Sequence, residues 1–189
     1  MSTSTEKSQK RELAIIAEEI RACTACGLHQ TRTQAVPGSG AADAALVFIG
    51  EAPGAQEDQQ GVPFVGQAGK LLDQHLARIG VDRQDVYIAN VLKCRPPDNR
   101  PPRKGEIAAC SPYLARQLDV IRPQVVVTLG RFPLNWFCSD LRITQVHGQV
   151  QQVDGWTIYP VYHPAAAFRR NAWREALARD FERIPQLLQ

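Results

Sequence analysis

Four short apolar runs constrain this chain more than anything else in it. They are residues 45–49 (ALVFI), 86–92 (VYIANVL), 124–129 (QVVVTL) and 158–162 (IYPVY). Each is nearly continuous in apolar side chains instead of alternating, so each reads as a strand buried on both faces. The stretches between them carry helical spacing. Residues 6–21 put Leu13, Ile16, Ala17 and Ile20 on one face, and residues 67–79 do the same with Leu71, Leu72, Leu76 and Ile79. Further helices are expected over 105–121, 131–137 and about 171–187. Asp154-Gly155, between residues 150–153 and 156–158, is a hairpin turn signal. Strands alternating with helices predict an α/β fold, a three-layer α/β/α sandwich around a central, mainly parallel four-stranded sheet. No internal repeat, low-complexity stretch or linker divides the chain, so residues 1–189 are expected to form a single domain.

In open α/β sheets ligands bind beyond the carboxyl ends of the strands. Unusual residues should therefore follow the strands, and they do. GEAPG follows the first run, KCRPPDNRPP the second and HPAAAFRR the last. Residues 50–66 form a glycine- and proline-rich shaped loop that contains Glu51, Glu57 and Asp58, with a single aromatic, Phe64. Phe64 fits core packing or a platform on which a flat base stacks. Asn90 is an amide inside an apolar strand, costly there unless paired. It is satisfied by backbone or it reads a base edge. Uracil offers a donor at N3 and an acceptor at O4, which an amide complements; cytosine reverses both. Asn99 is the only amide in the stiff, basic segment 95–104. His163 sits at a strand end, with its backbone restricted by Pro164. His29, His75 and His147 lack such a setting.

Cys23 and Cys26 form a CxxC, while Cys94 and Cys110 stand alone much later. Four thiolates can enclose one soft metal site. Structural zinc usually takes ligands in close pairs, and here only one pair is close, which suits an iron–sulfur cluster better. Core packing is the alternative for each thiol. Cys138, in an apolar stretch, is expected to be a buried core thiol.

The net charge of +3 does not by itself require a nucleic-acid partner. Its distribution is more informative: Lys93, Arg95, Arg100, Arg103 and Lys104 stand against one acid, Asp98, and Arg169, Arg170 and Arg174 form a second group. Both groups fit solvated loops or phosphate contact. No apolar run is long enough to cross a membrane, and MSTSTEKSQK lacks the apolar core of a signal peptide, so a cytoplasmic protein without a membrane partner is expected.

Together, GEAPG, GVPFVG, YIANVLKCRPPDNR and the HP pair after a strand resemble the family 4 uracil-DNA glycosylases, from about Ile20 to the C-terminal helix. The resemblance implies a DNA repair hydrolase that flips uracil out of single- or double-stranded DNA and cleaves its N-glycosidic bond. It implies a 4Fe–4S cluster held by Cys23, Cys26, Cys94 and Cys110, and a monomer is expected. Glu51 and Ala52 would line the pocket near the sugar, Phe64 would stack on uracil and Asn90 would read its edge. Asn99 would position the attacking water, and His163 would stabilise the departing uracil anion. Glu57 would help exclude the methyl group of thymine. Two positions depart from the family pattern. Ala52 stands where many members have glycine. Three alanines follow the HP pair, leaving Phe168 or Arg169 as the wedge into the base stack. Alternative readings are a glycosylase for another deaminated base, such as hypoxanthine or xanthine, a non-catalytic DNA-binding iron–sulfur protein, and a zinc-stabilised interaction module.

Overall fold

A computed structural model describes residues 4–188; the outermost ends of the expected 1–189 domain lie outside the described residues. Among the described residues six strands form one sheet: β1 (Ser39–Gly40), β2 (Leu46–Gly50), β3 (Tyr87–Asn90), β4 (Val125–Leu129), β5 (Gln151–Val153) and β6 (Trp156–Val161). Their order is β1-β3-β2-β4-β6-β5. The four strands expected from the apolar runs are the central, parallel ones. Two short antiparallel strands extend that four-stranded sheet to six. β5 is the outer arm of the expected hairpin. β1 arises from a Gly/Ala-rich segment that carries no strand pattern, and it exists because its backbone pairs with Tyr87 and Ile88.

Among the described residues eight α-helices surround the sheet: α1 (Ser4–Ala22), α2 (Ala55–Gln60), α3 (Gln67–Arg78), α4 (Lys104–Ile121), α5 (Arg131–Phe137), α6 (Ile143–Val146), α7 (Pro164–Ala167) and α8 (Asn171–Arg183). Strand side chains alternate between faces, so successive residues feed two cores. Val47 and Ile49 of β2 pack with Leu13, Ile16 and Ile20 of α1 and Leu114 and Leu118 of α4. Leu46 and Phe48 pack with Leu72 and Leu76 of α3 and Leu177 and Phe181 of α8. This is the three-layer arrangement read from the sequence. The last helix stops at Arg183 and continues as a 3-10 turn, Ile184–Leu188. Pro185 lacks an N–H and so cannot continue the i→i−4 ladder, although Ile184 before it keeps helical dihedrals (φ −55°, ψ −43°).

The chain passes from β2 to β3 on one side and then crosses back to β4 on the other. That reversal opens a crevice beyond the carboxyl end of β2, where residues 50–66, 91–104 and 162–169 converge. No helix among the described residues is long and apolar enough to cross a membrane. Cys138 caps the end of α5 and is half-buried, so it is not the fully buried core thiol expected.

Candidate active site and cysteine site

Glu51, Ala52, Glu57, Phe64, Asn90, Asn99 and His163 all line one cleft of about 390 Å³. Asn90 is the last residue of β3 and pairs in register with Gly50, the last residue of β2. It is only 2% exposed, and its Oδ1 has no hydrogen-bond partner among the described residues. An unpaired buried acceptor costs about 1–3 kcal/mol. The core of the protein does not satisfy this amide; its unpaired oxygen lies beside the cleft.

Phe64 is buried and adopts a left-handed backbone (φ 52°), which an aromatic residue enters only when its surroundings hold it there. Glycines make that position available. A Cβ at Gly69 would lie 1.9 Å from the Phe64 carbonyl oxygen. The carboxylate of Glu57 fixes the rest of the loop, accepting N–H donors from Gly54 (3.1 Å), Val65 and Gly66 (both 2.9 Å). Both of its oxygens are engaged by backbone. The shaped loop expected from the sequence contains a short helix, α2, and Glu57 sits within it. Asp58, the next residue, is buried and accepts the Thr33 N–H with both oxygens, tying the loop to the segment that follows the CxxC.

The His163 ring lies 5.7 Å from the Phe64 ring, centroid to centroid, tilted by 32°. Its Nδ1 accepts the Ala165 N–H at 3.1 Å, as the N-cap of α7. In the neutral ring the proton is therefore on Nε2. Burial pushes the His163 pKa down to about 4, with the Glu57 carboxylate opposing the shift. At neutral pH this is a neutral Nε2–H donor. Glu51 is half-buried at the cleft wall; burial raises its pKa and Arg131 opposes the rise.

Asn99 is exposed at the cleft mouth. It ends a turn in which Asp98 (φ 54°) and Asn99 (φ 53°) are both left-handed, a conformation short polar side chains tolerate. Its Oδ1 accepts from Arg95 Nε at 2.8 Å. Phe168 is 50% exposed, and Arg169 lines the cleft beside it.

The basic segment divides in a way its composition did not reveal. Arg100 makes two hydrogen bonds to Glu106, at 2.5 and 3.0 Å. Lys93 is buried, not part of a solvated loop. Neither is a free phosphate contact, which leaves Arg95, Arg103 and Lys104 at that edge. In the second group, Arg170 lies over the Trp173 ring.

Behind the cleft, Cys23, Cys26, Cys94 and Cys110 line a second, narrow cavity. Cys94 and Cys110 are buried, and Ala52 packs against them with Leu28 and Leu92. Arg32 Nη1 donates to Cys94 Sγ at 3.0 Å, and the Lys93 backbone N–H donates to Cys110 Sγ. Tyr113 hydrogen-bonds Cys23. Burial pushes the Cys110 thiol up to about 11 and raises that of Cys94 against Arg32. Buried thiols that must ionise to bind metal need a strong positive partner. Among the described residues no three His, Cys, Asp or Glu side chains lie close enough to hold a single metal ion. Cys23, Cys26, Cys94 and Cys110 nevertheless share one cavity, and four thiolates are the donor set that iron–sulfur clusters use. Sequence reading missed Arg32, Glu57 as a loop clamp, and the burial of Lys93. Only the placement of Lys93 directly before a cysteine could have pointed to its burial.

An aromatic face, an unpaired amide oxygen and a neutral imidazole donor, gathered at the strand ends of a parallel α/β sheet, define a domain that takes a flat, hydrogen-bonding ring. The sequence profile described as the uracil DNA glycosylase superfamily matches residues 37–184. The type-4 uracil-DNA glycosylase of Archaeoglobus fulgidus is 49% identical over 181 residues, 91% of each chain. That of Sulfurisphaera tokodaii is 47% identical, over 91% of this chain and 83% of its own. That of Thermotoga maritima is 41% identical, over 93% and 94%. The chain belongs to the uracil-DNA glycosylase superfamily and, within it, to the type-4 family.

Proposed function

We propose that this chain is a monofunctional DNA repair glycosylase that removes uracil from DNA, leaving free uracil and an abasic site. The observation that carries this reading is the unpaired Asn90 oxygen beside the Phe64 ring in a cleft at the strand ends. Uracil N3–H is the donor that Oδ1 lacks, and Phe64 supplies a face for the base. Cytosine presents an acceptor at N3 and leaves Oδ1 unpaired.

Extracting uracil from the stack costs a few kcal/mol, less when it is mispaired or single-stranded. Arg95, Arg103, Lys104 and Arg169 supply phosphate contacts around the cleft, and Phe168 is the exposed apolar side chain suited to fill the vacated stack. As the glycosidic bond lengthens, charge separates as in glycoside hydrolysis, positive on the sugar and negative on the base. The Nε2–H of His163 donates to uracil O2, a preorganised donor worth about 3–4 kcal/mol in the transition state. Asn99 orients water toward the sugar through the amide valences that Arg95 does not use. Glu51, at the cleft wall, faces the developing positive charge, and Ala52 lines the wall beside the sugar. Glu57 acts through Phe64, holding the loop that closes the pocket around the base edge where thymine carries its methyl group.

Cys23, Cys26, Cys94 and Cys110 are the proposed ligands of a 4Fe–4S cluster. When bound, the cluster supplies a rigid joint between α1, α4 and the segment that leads from Asn90 to Asn99.

Incubation with oligonucleotides that carry one uracil, followed by alkali, tests the proposal. Strand scission at uracil, with intact thymine and cytosine controls, is expected. Scission only at hypoxanthine or xanthine would move the reading to another deaminated base. Binding without base release would replace it with a non-catalytic one.

A further inference from the structure

The parallel ladder of β6 ends at Val161, which pairs with Leu129 of β4. His163 lies two residues beyond that ladder, yet its proposed role needs a ring with a fixed aim. Tyr162, the residue that joins them, is 9% exposed, and two other rings hold its own. Trp173 stacks on it with 5.6 Å between centroids and 20° between planes. His147 lies against it at 4.6 Å and 40°. Each of these rings is backed in turn. The Arg170 guanidinium covers Trp173, 4.7 Å from the ring centroid. His147 Nδ1 donates to Asp180 Oδ2 at 2.8 Å, and Asp180 is only 4% exposed. Tyr159 of β6 donates to the Asp180 carbonyl at 2.9 Å, so the same residue also grips the strand. Trp173 and Asp180 are seven residues apart, on one face of α8. Beside His147, Gly148 (φ 70°) donates its N–H to Pro160 O at 2.8 Å, and a Cβ there would lie 2.2 Å from Asp180 Oδ1. Residues 147–148 and α8 thus converge on one ring at the strand end.

Resting on the glycosylase reading above, we infer that Tyr162, held by Trp173 and by the Asp180-anchored ring of His147, is the positioning residue that aims the His163 ring into the cleft. It acts through the backbone it shares with His163. On the far side of His163 the chain is fixed by α7, whose Ala165 N–H is capped by the imidazole. The ring is thereby tied from both neighbours. A reacting group misplaced by about 1 Å loses about a hundredfold in rate, so rigidity one residue away has a direct catalytic effect. Tyr162, His147, Trp173 and Asp180 all stand outside the residues that line the cleft, which makes this a positioning role and not a catalytic one.

The test measures single-turnover uracil release across enzyme concentration for the parent, Tyr162→Leu, Tyr162→Phe and His147→Leu, each with and without His163→Gln. Tyr162→Leu and His147→Leu are expected to lower the maximal rate about tenfold, within the range for a misplaced group, with the half-saturating enzyme concentration unchanged. Tyr162→Phe keeps the ring and is expected to restore the rate. In the His163→Gln background the same changes should cost nothing further, because residues that act as one unit are not additive. If Tyr162→Leu fails to fold, His147→Leu, at a half-buried position, carries the comparison. A tenfold loss that persists without the imidazole, or weaker half-saturation at the parental maximal rate, would overturn the inference. So would parental rates in both leucine variants. A parent that releases no uracil would remove the glycosylase reading, and His163→Gln at the parental rate would remove the donor assignment; each takes this inference with it.

Discussion

A methyl group added to Gly50 would lie 2.3 Å from Asn90 Oδ1 and 2.6 Å from the Phe64 ring. The first glycine of GEAPG is therefore space for the two residues that define the pocket. Gly50→Ala should push both aside and lower single-turnover uracil excision by about two orders of magnitude, with about 1–3 kcal/mol lost in stability from overpacking. An unchanged excision rate would mean that Phe64 and Asn90 do not need their present positions. His163 provides a second test at this scale. The fold holds its ring neutral, with a pKa near 4 against an ordinary value of 6.5. Between those values the unfolded chain binds the extra proton, so this contribution to stability is complete above about pH 6.5 and is lost as pH falls toward 4. Denaturant midpoints measured across that window should rise with pH in the parent and rise less steeply in His163→Gln.

Glu57 joins three backbone amides of one loop, and that loop holds Phe64 over Gly50. Losing a charge-assisted acceptor of this kind costs about 1–3 kcal/mol. Glu57→Ala should lower the melting temperature and weaken uracil binding more than it slows the bond-breaking step, a split that single-turnover titrations with enzyme in excess resolve. If only the chemical step slows, Glu57 acts on His163 and not on the loop. The elements themselves were legible where periodicity was strong. The four parallel strands and α1, α3, α4 and α8 follow from apolar runs and helical spacing. The additions were not legible. α2 and α7 are single turns held by Glu57 and by the His163 cap, and β1 exists through a backbone ladder to β3. Such features depend on tertiary partners, which a local pattern does not encode. The same limit explains the candidate site. Segments after strands marked Glu51, Glu57, Phe64, Asn99 and His163, the amide inside an apolar strand marked Asn90, and Ala52 came only from the family resemblance, whereas burial of Lys93 and the pairing of Arg100 with Glu106 depend on where α4 packs.

At the scale of the molecule, the cysteine site joins parts that are far apart in sequence. Cys23 and Cys26 follow α1, Cys94 follows β3, and Cys110 lies in α4. Ligands recruited from distant segments make binding energy part of folding energy. Cys94→Ala should give colourless protein with little iron or sulfide and a clearly lower melting temperature. Full iron content with parental stability would exclude Cys94 as a ligand. Because the same short segment runs from Asn90 through Cys94 to Arg95, whose side chain holds Asn99, damage behind the cleft should also reach its mouth.

The bare oxygen of Asn90 has a consequence after the bond is broken. Free uracil keeps its N3–H and its flat face, so it retains the contacts that the bound nucleotide made to Asn90 and Phe64. Departure of the base returns that oxygen to its unsatisfied state. Turnover should therefore be paced by product release, with a fast first round followed by a slower steady rate. Free uracil should inhibit competitively and raise the melting temperature in proportion to the logarithm of its concentration, while cytosine should do neither.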